Sequence, residues 1–221
     1  MKVVCLFLQG DSLKEFADPN KKFFSKESNC VFASINNFLP VNKILKEIDR
    51  KIEYLYCSSD KRYRDISDDI VKFIDEGGTL FTTSERFYAK KELQKYRHQG
   101  RDKQIILSDK GYGLNSLGSF LLTLGSMHFR DIFLFGADGG GSYYKNIYED
   151  LKSVGRDTGF LNEFWPKLVE YAGESMSPGI PRMRITNVTP YISGFPQTKL
   201  TCFDIMNIED FYEQQRKNEF K

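Results

Sequence analysis

The stretch RDIFLFGADGGGSYYKN, residues 130–146, decides how the chain folds. Its apolar run, Ile132 to Phe135, has no polar residue in it and stops at Gly136. A strand without alternation is buried on both faces, as in a parallel sheet covered by helices on each side. Asp138 follows, then three consecutive glycines and the pair Tyr143 and Tyr144. A loop with one left-handed position needs one glycine, so three in a row point to backbone kept bare for a ligand.

The same pattern extends outward in both directions. Strand-like runs occupy residues 2–9, 29–36, 51–59, 79–83, 103–108 and 182–188. Between them lie segments of helical spacing: DSLKEF from Asp11, VNKILKEID after Pro40, and DISDDIVKFID ended by Gly77 and Gly78. Further on come a charged helix over 85–97 capped by Ser84 and a buried helix over 115–129. A long amphipathic helix over 157–172 is expected to break or bend at Pro166. The charged helix is expected to present a solvated face. Alternating strands and helices predict an α/β fold with a mostly parallel sheet and helices on both faces. The whole chain, 1–221, is expected to be one Rossmann-like, nucleotide-binding domain, with 141–182 as a helical lid or insertion.

Composition narrows the function classes. Thirty-two basic and 30 acidic residues nearly cancel, leaving +2, which does not suit a dedicated nucleic-acid binder. No segment approaches the roughly 18 apolar residues of a membrane-spanning helix. The first residues, MKVVCLFLQGDS, read as a buried strand rather than a cleavable leader. Cys5, Cys30, Cys57 and Cys202 are scattered, without the short spacings of a zinc site. They read as reduced thiols of a cytoplasmic protein.

In open α/β sheets ligands sit beyond the carboxyl ends of the strands. Those ends carry Gln9, Gly10, Asp11 and Ser12; Asn36 and Asn37; Ser58, Ser59 and Asp60; Asn115 and Ser116 after a glycine loop; and Asp138. Each of the first four groups also suits a plain turn or helix cap. His98 reads as exposed and His128 as a helix-end or core residue. Neither a P-loop nor a dinucleotide fingerprint is present.

In order along the chain, GDSLKEF, INNF, GYGLNSLGSFLLTLGSMHFRDIFLFGAD and, more weakly, ITNVTPYISGFP resemble the bacterial sialyltransferases of the Campylobacter lipooligosaccharide type. They are also similar to the related motility-associated factor and 6-hydroxymethylpterin diphosphokinase-like group. The resemblance implies a sialyltransferase-like (GT-A-like) variant of the fold and transfer of a sugar from a CMP-activated donor to a glycan acceptor. It implies donor contacts from Gly10, Asp11, Ser12, Asn36, Asn37, Asn115 and Ser116. Asp138, Tyr143 and Tyr144 become catalytic, the tyrosines stabilising the leaving phosphate without a metal ion or cofactor. The family's base histidine has no counterpart, because no His follows His128. Asp157 and Glu163 are the substitutes the sequence offers. In the alternative, a Mg²⁺-dependent pyrophosphokinase, Asp138 and Asp11 become metal ligands. A third reading is a non-catalytic nucleotide- or glycan-binding relative. A location at the inner membrane surface and a homo-oligomer are further expectations.

Overall fold

The computed structural model describes residues 3–16, 30–98, 104–107, 115–138, 161–174 and 183–217. Eight strands form one sheet: β1 (Val3–Phe7), β2 (Cys30–Ile35), β3 (Tyr54–Tyr56), β4 (Thr79–Thr82), β5 (Ile105–Leu107), β6 (Asp131–Phe135), β7 (Arg184–Thr189) and, after the hairpin of β8 (Tyr191–Ile192) and β9 (Phe195–Pro196), β10 (Asp204–Asn207). Their order is β10-β7-β6-β1-β2-β3-β4-β5, and every neighbouring pair is parallel. The chain steps outward from β1 to β5, then returns to lay β6 on the other side of β1. The sheet reverses its winding between these two strands, where open α/β sheets place their ligand crevice. The α/β class and the mostly parallel, Rossmann-like sheet expected from the sequence are therefore present.

Helices cover both faces. The connections are α1 (Leu39–Lys46), α2 (Asp60–Asp65), α3 (Ser67–Asp75), α4 (Ser84–Ala89), α5 (Lys91–His98), α6 (Ser116–Ser126), α7 (Leu161–Glu174) and α8 (Ile208–Arg216), with a 3₁₀ helix at Asp11–Phe16. Strand alternation sorts the core into two layers. Cys5, Phe7, Phe32, Leu55, Leu80 and Phe135 pack beneath the 3₁₀ helix, α1, α3, α5 and α8. Val4, Leu6, Ala33, Tyr56, Phe81 and Leu134 pack beneath α6 and α7. Phe7, Phe16 and Phe135 of the first layer lie below the reversal point. There the Phe7 and Phe135 rings stack with centroids 5.0 Å apart, and Phe16 meets Phe135 edge-on at 4.7 Å. Such pairs each add about 0.5–1.5 kcal/mol beyond simple burial.

Three expectations need correction. The helix foreseen over 85–97 is broken at Lys90 into α4 and α5; it presents the expected solvated face, with Glu85, Lys91, Glu92 and Lys95 exposed, and buries Phe87, Leu93 and Tyr96 on the other side. At the interruption Lys90 turns inward, with its ammonium 3.2 Å from Asp60 and over the Tyr63 ring. The helix foreseen over 65–75 is preceded by a separate turn of helix, α2, and the two meet at Ile66. Helix α7 runs through Pro166 without interruption. Of the stretch 141–182, α7 alone is described, and its Leu161 and Trp165 belong to the second core layer. No helix among the described residues is long and apolar enough to cross a membrane.

Candidate functional site

The ends of β1 and β6 approach too closely for side chains. Leu8 N–H donates to Phe135 O at 2.7 Å and Gly10 N–H to Gly136 O at 2.8 Å, so pairing continues past both strands. A Cβ on Gly10 would lie 2.4 Å from Gly136 O and 2.5 Å from a carboxylate oxygen of Asp138. Gly136 has φ +68°, and a Cβ there would meet Leu8 O at 2.9 Å. Glycine is required at both positions, by contact at the first and by conformation as well at the second.

Asp138 closes this junction. Ser12 N–H donates to its Oδ2 at 3.0 Å, and the Ser12 hydroxyl donates to its Oδ1. The carboxylate therefore holds the first turn of the 3₁₀ helix, 126 residues away in sequence. A charged acceptor paired with a backbone N–H and a hydroxyl makes bonds of roughly twice the ordinary strength. Gly10, Ser12 and Asp138, singled out separately in the sequence, form one contact cluster. The Asp11 side chain lies outside the described residues.

One strand away, Asn36 adopts φ +65° and its N–H continues the ladder by donating to Tyr56 O at 2.7 Å. Asparagine tolerates this left-handed conformation better than other residues with a Cβ. Its side-chain oxygen is buried without a hydrogen-bond partner. Asn37 is spent locally, its Oδ1 accepting from Leu39 N–H at 3.1 Å at the start of α1. Gln9 ties the two stations together, donating to Ile35 O at 2.9 Å and Asn37 O at 3.3 Å. Gln9 stood beside the glycine turn in the sequence, but only the strand order shows what it reaches.

The third station lies beyond β3. Asn115 caps α6, accepting from Gly118 N–H at 2.9 Å, and Ser116 lies 3.5 Å from Ser58, oxygen to oxygen. The Tyr56 phenol bonds to Ser58 and Ser119. Burial pushes its pKa up, and those two bonds offset only part of the rise, so it stays protonated near neutrality. The positive end of the α6 dipole and a row of hydroxyls thus face the strand ends. Ser59 caps α2, as its position before Asp60 implies.

The ends of β6, β1 and β2 therefore carry Asp138, Gly10, Ser12, Asn36 and Asn37, and the start of α6 brings Asn115 and Ser116 beside Ser58 beyond β3. Gly10, Ser12 and Asp138 touch one another directly. Tyr143, Tyr144 and Asp157 lie outside the described residues. Glu163 is exposed in the first turn of α7. His128 is an exposed helix-end residue at φ +64°, and the His98 side chain lies outside the described residues. A hollow of about 480 Å³ between β10 and α8 holds none of the expected residues, and Asp210 and Glu213 in its wall make it a poor seat for a phosphate. A search against protein-family models finds no match to the chain, and a search of curated proteins finds none either.

Proposed function

We propose that the protein transfers a sugar from a CMP-activated donor to a hydroxyl acceptor, binding the nucleotide across the ends of β6, β1, β2 and β3. The observation that carries this reading is the junction at the sheet reversal. There two glycines that tolerate no Cβ bring the ends of β1 and β6 together, and the Asp138 carboxylate fixes the first turn of the 3₁₀ helix that follows. Open α/β sheets place their ligand crevice at such a reversal, and the N-terminus of α6 faces the same strand ends. The partnerless, buried oxygen of Asn36 is an acceptor awaiting a donor, which a sugar hydroxyl or an exocyclic amine supplies.

Glycosyl transfer separates a cationic sugar from an anionic phosphate. The protein must stabilise the departing phosphate and take a proton from the acceptor. In this reading Gly10, Ser12, Asn115 and Ser116 surround the donor, Tyr143 and Tyr144 donate to the leaving phosphate, and Asp138 fixes the turn that carries Gly10 and Ser12. Glu163 and Asp157 are the carboxylates available as base. Among the described residues no group of three His, Cys, Asp or Glu is placed to hold a metal ion. No observation there favours the pyrophosphokinase.

Titration calorimetry with CMP, CDP, UDP and ATP, each with and without Mg²⁺, tests the proposal. The expected result is binding of the cytidine nucleotides in the absence of metal and weaker binding of ATP. Binding of ATP alone, and only with Mg²⁺, overturns it in favour of the pyrophosphokinase.

A further inference from the structure

Asp138 is held from behind as firmly as from in front. Ala137 O accepts from Asn187 Nδ2 at 3.0 Å and from the Thr198 hydroxyl at 2.9 Å. Asp138 O accepts from Lys199 N–H at 2.8 Å. The second amide hydrogen of Asn187 goes to Thr198 Oγ1 at 2.9 Å, which also receives Leu200 N–H at 3.1 Å. Asn162 at the start of α7 grips the same segment. It donates to Lys199 O at 2.8 Å and accepts from Thr201 N–H at 2.8 Å and Cys202 N–H at 3.2 Å.

Asn187 is the unusual member. It is fully buried within β7, paired in register with Leu134 on one side and Ile205 on the other. Its Oδ1 has no partner. An unpaired buried acceptor lowers stability, and an aliphatic residue would suit an internal strand better. What the amide supplies instead is two N–H bonds, one to Ala137 O at the strand end that carries Asp138 and one to Thr198 Oγ1, whose hydroxyl donates to the same carbonyl.

We propose that Asn187 and Thr198 are positioning residues of the candidate site. They fix the Ala137–Asp138 peptide, and through it the carboxylate that holds Ser12 and the glycine turn. Neither contacts the ligand. The inference rests on the reading of that turn as a nucleotide site, but its first readout does not.

The experiment compares Asn187→Val, Thr198→Val and Thr198→Ser in the full chain by thermal unfolding, by hydrogen exchange of the Ser12 amide and by calorimetry with CMP. Asn187→Val removes the orphaned oxygen and leaves Ala137 O with the Thr198 hydroxyl. It is expected to unfold within about 4 °C of the unsubstituted protein. Its Ser12 amide is expected to exchange faster, and CMP to bind about tenfold more weakly, the usual scale for losing a support behind a contacting group. Thr198→Val is expected to lose Ser12 protection as well, and Thr198→Ser to keep it. Unchanged Ser12 exchange in Asn187→Val and Thr198→Val overturns the proposal. So does a parallel fall in stability, protection and affinity that Thr198→Ser fails to rescue, which describes packing alone. If the unsubstituted protein binds no CMP while Ser12 exchange still responds, the positioning role stands and the nucleotide reading falls.

Discussion

Gly10 shows how one missing side chain can set a site. Its neighbours leave no room for a methyl group: Gly136 O is backbone and cannot retreat, and the Asp138 carboxylate is tied to Ser12. Gly10→Ala must therefore push the ends of β1 and β6 apart or break the Asp138 contact. Overpacking of this kind costs about 1–3 kcal/mol. Chemical denaturation is expected to show a lower midpoint, with the loss in that range. A variant as stable as the parent would mean that the close approach of the two strand ends is not maintained in solution. Asp138 itself was legible as special in the sequence, since three glycines follow it. Its partner was not, because a contact across 126 residues depends on β6 returning to the side of β1, which no local pattern encodes.

At the scale of elements, propensity and spacing carried most of the assignment. The near-continuous apolar strands identified the parallel sheet, and Asn115 and Ser59 were recognisable as caps from residue type alone. The failures lie where the chain departs from the local pattern. Lys90 lies within a helical sequence, yet at the break its side chain reaches Asp60 and Tyr63, two residues of α2 in the preceding connection. Strand β10 is short and falls in a stretch left unassigned in the sequence, and its strand character comes from pairing with β7. The cap of α6 offers a test that separates a structural role from a binding one. Asn115→Ala is expected to cost about 1 kcal/mol of stability, because Gly118 N–H loses its acceptor. Asn115→Asp keeps that acceptor and adds a charge that favours the helix N-terminus, so stability is expected to match or exceed the parent. If a phosphate binds there, the same charge repels it, and calorimetry is expected to show weaker CMP binding by Asn115→Asp despite intact folding. Unchanged affinity would remove Asn115 from the site.

Over the whole molecule, the two-layer core buries acids of an uncommon kind, thiols and phenols, and this fixes how stability responds to pH. Burial pushes Cys5 well above its ordinary value of 9.0 and Cys202 up to about 11. Tyr54, Tyr56, Tyr63 and Tyr96 are raised above 10.0, in each case chiefly by burial. These groups are neutral when protonated, so a raised pKa means that the folded state holds its protons more tightly than the unfolded chain. Below about pH 8.5 both states are protonated and the groups add no pH dependence. As pH rises past 9.0, the unfolded chain releases protons that the folded one retains, and stability falls with a slope that steepens as the tyrosines join. The unfolding temperature is therefore expected to be level from neutrality to about pH 8.5 and to decline progressively above it. Cys202→Ala isolates one contributor: its decline is expected to be shallower between 9.0, where the unfolded thiol ionises, and about 11, where the folded one does. A decline identical to that of the parent across this window would show that Cys202 ionises as readily in the folded protein as in the open chain, and that the second layer around it admits water.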